Sequence, residues 1–216
     1  MDALSKFSYY NPLGLRYSTF NPSKYYNKER LVPTQWDKRW RHQLVHGHVH
    51  DETAALMGGV AGHAGLFSTA EDLAVIFQML LDGGTYGDRV YLSPETIKKF
   101  TGKQRGSSRG IGFDKPNRSN ESAVAKSASP ATFGHTGFTG TCVWADPDED
   151  LIFIFLSNRI HPYIKNPLMY RQETRRRIHQ VVYDALGTYQ TDKEIQNHPL
   201  IPYEMKKAED NLIKGD

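Results

Sequence analysis

The apolar positions are unevenly patterned along the chain. The first 56 residues are rich in Tyr, Trp, Pro and Asn and show little periodicity. They read as a short helix followed by loops, with Asn11-Pro12-Leu13-Gly14-Leu15 as the turn that ends the helix. From Ser68 the pattern sharpens. Ser68-Thr69-Ala70-Glu71 has the form of a capping box, and Leu73, Ile76, Phe77 and Leu80 follow at i, i+3, i+4 and i+7. Asp82-Gly83-Gly84 supplies the stop. Ser93-Pro94-Glu95 opens a second helix, with Ser at the N-cap and Pro at the first helical position.

Residues 106–130 are polar and Ser-rich, which predicts one strand at 111–113 and a mobile loop. Strands are expected over 139–146 and 151–156, joined by the turn Pro147-Asp148-Glu149-Asp150 and therefore antiparallel neighbours. The unbroken run Leu151-Ile152-Phe153-Ile154-Phe155-Leu156 predicts burial on both faces. A long helix is expected over 173–186, with Ile178, Val181, Val182 and Leu186 inward and Gly187 as its end. The polar tail 188–216 reads as weakly ordered or packed on a partner. The organisation implied is one α/β (α+β) domain over 1–187 followed by that tail.

Composition narrows the options. A chain of 216 residues with 38% hydrophobic residues suffices for one sizeable core. The net charge of +3 is only mildly basic, Lys and Arg are scattered, and no aromatic-basic module of a nucleic-acid-binding protein is seen. Arg175-Arg176-Arg177 reads as a solvated helix face. No stretch is apolar for long enough to span a bilayer. The first residues lack the basic start and apolar block of a signal peptide, although in a fragment such an address would lie upstream. The single Cys142 sits in an apolar run and is expected to be buried and inert.

Two motifs carry chemistry. The first is the block Gly58-Gly59-Val60-Ala61-Gly62-His63-Ala64-Gly65-Leu66-Phe67, leading into the Ser68 helix. The second is His135-Thr136-Gly137, flanked by Gly134 and Phe138, at the entry to the hairpin. A small Gly beside polar side chains lets a substrate backbone approach. Thr136 can donate to a carboxylate, and His135 can position or transfer a proton near neutral pH.

Taken with Leu92-Ser93-Pro94-Glu95-Thr96 and Leu156-Ser157-Asn158-Arg159, these motifs resemble the C-terminal half of the serine β-lactamase and penicillin-binding-protein module. His135-Thr136-Gly137 is similar to its Lys-Thr-Gly motif in the His variant of some D,D-peptidases and esterases. Val49-His50-Asp51-Glu52 resembles, more narrowly, modules fused behind family-3 β-N-acetylglucosaminidases in Bacteroidetes-type bacteria.

The resemblance implies a partial serine β-lactamase-like fold, an antiparallel sheet packed against helices, and a parent hydrolase of the cell envelope. That parent would act through an acyl-enzyme on cell-wall peptide or glycan material. The backbone amide of Phe138 would be an oxyanion donor. His135, Thr136, Gly137 and His63 would contact substrate, and no cofactor or metal is implied. The family's nucleophile lies in Ser-x-x-Lys, and this chain contains no such tetrad. The nucleophile and the Tyr-x-Asn loop are therefore expected upstream, and this chain alone is expected to be inactive. A degenerate peptidoglycan- or glycan-binding scaffold is the alternative, suited by the aromatic N-terminal third. Loss of the nucleophile helix would also bare apolar surface, predicting a homodimer or packing against the missing half.

Other candidates carry less. Tyr9-Tyr10-Asn11 and Tyr25-Tyr26-Asn27 fit Tyr-x-Asn, but such triplets arise by chance in a Tyr-rich segment. Thr96-Ile97-Lys98-Lys99 has nucleophile spacing but lies on an outer helix. His46, His48 and His50 with Asp51 superficially suggest zinc, yet the order is not that of the metallo-hydrolases; His50 and Asp51 are expected to anchor a loop beside the cleft. The glycine block lacks the Lys and Ser/Thr of a phosphate cradle and reads as tight turns.

Overall fold

The computed structural model describes residues 1–117 and 123–187. The N-terminal third is the short helix and loops expected. Helix α1 (Asp2–Ser5) runs into a wider π turn over Lys6–Tyr10. The chain then reverses at Gly14, whose φ of +73° favours glycine. The reversal buries Leu13 and Leu15 against Met79. Strand β1 (Thr19–Phe20) follows. Strands β2 (Trp36–Asp37) and β3 (Gln43–Leu44) pair with each other, antiparallel. Helix α2 (Glu52–Leu56) is capped by Asp51, whose carboxylate accepts from the Ala54 amide at 2.7 Å. Strand β4 (Leu66–Phe67) closes the glycine block by pairing antiparallel with β1.

Helix α3 (Ala70–Leu81) has its cap one residue later than expected: Thr69, not Ser68, accepts from the Asp72 amide. Both residue types can cap, and tertiary structure decides. Ser68 Oγ is taken by Ser18 Oγ at 2.7 Å. The third helical residue, Asp72, is buried and binds the Arg16 and Tyr17 amides and the Ser18 hydroxyl at 3.2, 2.7 and 2.9 Å. One carboxylate thus fixes the 16–18 segment across the start of α3. Gly83 and Gly84, both at positive φ, end the helix. Strands β5 (Thr85–Tyr86) and β6 (Arg89–Val90) form a small hairpin. Helix α4 (Pro94–Thr101) has the expected Ser93 cap and Pro at its first position.

Strands β7 (Phe133–Thr136), β8 (Cys142–Asp146) and β9 (Leu151–Phe155) form an antiparallel meander in that order. No strand forms at 111–113; only Asp114 bridges to Gly134 on β7. Helix α5 (Leu168–Arg171) leads into α6 (Thr174–Gly187).

Directly paired residues share a sheet face, so the register defines two faces. One carries Cys142, Trp144 and Phe153, which form a core with Val124, Ile178 and Val182 under α6. The other carries Phe133, whose ring stacks on Phe77 of α3 at 6.2 Å. Helices therefore pack on both faces, but β9 lies at the edge of the described sheet, and of its residues only Phe153 is fully buried.

The inner face of α6 differs from the apolar stripe expected. Leu186 is exposed, while Arg175, His179 and Tyr183 are buried. Arg175 is therefore not part of a solvated triple-Arg face; it donates to the Thr141 carbonyl at 3.1 Å. His179 stacks on Phe153 at 4.2 Å and accepts from the Ala125 amide. Tyr183 donates to Asp146 at 2.5 Å, and Asp146 also accepts from the Ser129 amide and hydroxyl. Gln180 accepts from the amides of Lys126 and Ser127. Residues 123–130, expected within a mobile loop, are therefore tied to α6 and β8. The expected tail, 188–216, lies outside the described residues.

Candidate active site

The two chemistry-bearing motifs meet at one cavity of about 1290 Å³, lined by His63 from the glycine block, by His135 and Thr136 at the end of β7, and by Gly137 and Phe138 just after it. The glycines shape its walls. A side chain at Gly134 would collide with the Val143 carbonyl and Trp144, so β7 can pair this closely with β8 only as glycine. Gly65, at φ +112°, passes directly over the Gly59 carbonyl. The block works as turns and close backbone crossings.

A reverse turn over Gly137–Gly140 follows the strand. The Gly140 amide donates to the Gly137 carbonyl at 3.0 Å, and the Gly137 amide to the Thr141 carbonyl at 2.8 Å. The Phe138 amide, between them, has no acceptor among the described residues. The Phe138 ring lies against His50 at 5.5 Å and under the Arg159 guanidinium at 4.6 Å. Arg159 Nε also donates to the Phe138 carbonyl at 2.9 Å. His50 and Arg159 thus hold Phe138 through its ring and its carbonyl, while its N–H stays available.

The part of the lining around Asp51 is electrostatically organised. His63 Nε2 lies 3.0 Å from Asp51 Oδ1. The Ala54 amide, and then His63, hold the Asp51 carboxyl below its usual range. His50 bonds the Gln35 side chain at 2.8 Å, and burial lowers its affinity for a proton. Asp51 and His50 therefore fix the loop beside the cavity. The remaining histidines of that segment diverge: His46 bonds the Leu31 carbonyl, and His48 lines a separate pocket of about 330 Å³. Among the described residues no group of three His, Cys, Asp or Glu could hold a metal.

His135 has two neighbours that periodicity could not reveal. Arg109 Nη2 lies 2.6 Å from His135 Nε2, and Arg109 Nε lies 2.9 Å from Asp114 Oδ1. Both come from an irregular segment, which the bridge at Gly134 and the edge contact of Phe113 on Phe133 bring to the strand. From the Leu156-Ser157-Asn158-Arg159 segment, Ser157 and Asn158 also line the cavity. Ser157 bonds the Gly140 carbonyl at 2.8 Å, and Asn158 donates to the Pro33 carbonyl. Cys142 is buried and its thiol is pushed up to about 11, chiefly by burial, which leaves it an unreactive thiol at neutral pH.

Two relatives from Escherichia coli, strains O157:H7 and K12, are each named "Putative D-alanyl-D-alanine carboxypeptidase". They are 38% and 37% identical over 181 residues, covering 77% of this chain and 42% of theirs. The chain thus spans less than half the length of the curated relatives it matches. The fold is similar to part of simvastatin synthase from Aspergillus terreus, with a TM-score of 0.53 at 15% identity over 88% of this chain and 51% of that one. A penicillin-binding-protein homologue from Caulobacter crescentus gives 0.50 at 20% identity over 73% of this chain and 46% of its own. The family model described as Beta-lactamase matches residues 10–175, and the chain belongs to that family.

Proposed function

We propose that this chain is the C-terminal portion of a serine hydrolase of the D,D-peptidase and esterase type. It would cleave amide or ester bonds of cell-wall peptide material through an acyl-enzyme. The observation that carries this reading is the β7 edge: His135-Thr136-Gly137 opens onto the large cavity, and the following Phe138 amide has no internal acceptor.

In the complete site an upstream Ser, activated by an upstream base, attacks the substrate carbonyl. The Phe138 N–H then acts as an oxyanion donor beside the nucleophile's own amide. Thr136 holds the substrate carboxylate or leaving group, Gly137 leaves room for it, and His63 contacts the substrate from its place in the cavity lining. The cell envelope is the proposed place of action, in keeping with the names of the Escherichia coli relatives. A fused family-3 β-N-acetylglucosaminidase belongs to the same proposal and rests on the Val49-His50-Asp51-Glu52 likeness alone. Without the nucleophile segment, this chain by itself is inactive.

The test is Thr136→Val in a version extended upstream through the missing half, assayed on a peptide ending in D-Ala-D-Ala. Loss of a charge-assisted bond is expected to lower kcat/KM by about 10- to 100-fold. Unchanged kinetics would contradict the assignment of the strand edge as the substrate site.

A further inference from the structure

Both ring nitrogens of His135 are committed. Nδ1 lies 2.8 Å from the Thr136 carbonyl oxygen. A carbonyl only accepts, so Nδ1 carries the hydrogen. Nε2 lies 2.6 Å from Arg109 Nη2. A guanidinium only donates, so Nε2 is the bare lone pair. The two contacts are compatible with one state of the ring.

The donor is itself anchored. Arg109 Nε meets Asp114 Oδ1 at 2.9 Å. Asp114 is placed by backbone, because its amide donates to the Gly134 carbonyl at 2.7 Å and its carbonyl accepts from the Gly134 amide at 3.2 Å. The carboxylate is thus registered one residue from His135 by the sheet rather than by a side-chain choice. The rival arrangement has Nε2 protonated and donating to Asp114. Asp114 Oδ2 lies 3.8 Å from Nε2, beyond hydrogen-bond range, and the space between is Arg109's.

We propose that Arg109, anchored by Asp114, is a positioning residue that holds His135 as the Nδ1–H tautomer. The chemical consequence rests on the hydrolase reading above. His135 then offers substrate neither an N–H nor a transferable proton from Nε2. The proton-handling role expected of His135 from the sequence gives way to an orienting one.

The tautomer can be read on this chain without substrate, so it stands or falls independently of the hydrolase reading. In the chain labelled with ¹⁵N-histidine, long-range ¹H–¹⁵N correlation near neutral pH distinguishes protonated from bare ring nitrogens. His135→Gln assigns the signal. The wild type should show Nδ1 protonated and Nε2 bare. Arg109→Met, which removes the donor, should lose that single pattern and gain the Nε2–H form. Arg109→Lys, whose ammonium can still donate, should restore it at least in part. Signals of the remaining histidines, buried His179 among them, report that the fold is intact. Nε2 protonated in the wild type, or an unchanged pattern in a folded Arg109→Met, would overturn the proposal. If Arg109→Met does not fold, the wild-type pattern decides alone.

Discussion

Single residues fix the backbone around the cavity, and their cost is calculable. At Gly134 a methyl group would meet the Val143 carbonyl and Trp144, both parts of the sheet that cannot swing away. Gly134→Ala should destabilise the protein by about 1–3 kcal/mol, as overpacking does, and denaturant titration will show it. Asp72 is a sharper case. Replacing it by Ala leaves the Arg16 and Tyr17 amides and the Ser18 hydroxyl without their acceptor. A loss of about 3 kcal/mol or more is expected by the same titration. Residue type made the glycines and the Ser93 cap of α4 legible in the sequence. It did not show that Asp72 would act on a segment more than fifty residues away, nor that Ser68 would turn to Ser18. Those choices depend on which segments lie alongside, and local pattern carries no such information.

At the scale of elements, α6 shows where periodicity stops. The 3.6-residue repeat marks a helix and its Ile178 and Val182 face. It cannot mark the polar residues that go inward, because Arg175 and His179 are accepted only where the Thr141 carbonyl and the Ala125 amide await them. The hairpin of β8 and β9 was legible for the opposite reason: strong apolar runs and a short acidic turn leave one pairing.

Burial of His179 also couples this element to pH. Desolvation pushes its imidazole down to about 4, against about 6.5 in an unfolded chain. The unfolded state therefore binds the extra proton, and stability present above about 6.5 is lost as the pH falls toward 4. The loss contributed by this one group is on the order of 3 kcal/mol. Asp146 adds to it at lower pH. Burial would raise its carboxyl, but hydrogen bonds from Ser129 and Tyr183 prevail and lower it, so its contribution disappears once the pH drops below the ordinary Asp range. His179→Asn keeps an acceptor for the Ala125 amide but cannot titrate. Its unfolding midpoint, measured across pH 4 to 6.5, should vary distinctly less than that of the wild type. Equal slopes would contradict this account of α6.

For the whole molecule, the fold class and the two motifs could be read from residue patterns, and the structure brings those motifs to one cavity. What could not be read is the support around the second motif: Arg109 and Asp114 behind His135, and Arg159 beside Phe138. These residues lie in irregular segments with no repeat to betray them. The cavity also exposes apolar side chains, including Leu66, Phe138 and Leu156. With the proposed upstream half absent, that surface should drive self-association. Sedimentation velocity at micromolar concentration should show species heavier than the 24.6 kDa monomer, and the upstream-extended version should be monomeric. A clean monomer of the short chain would contradict the idea that this face awaits a covering segment.

The central claim is that this chain completes a serine acyl-enzyme site whose nucleophile lies upstream. The direct measurement is intact mass after incubating the chain, and its upstream-extended version, with a labelled penicillin and a fluorophosphonate. A covalent adduct on the extended version and none on the short chain is the predicted result. An adduct on the short chain would mean that it holds its own nucleophile. No adduct on either would contradict the acyl-enzyme and leave a binding module as the better reading of the same cavity.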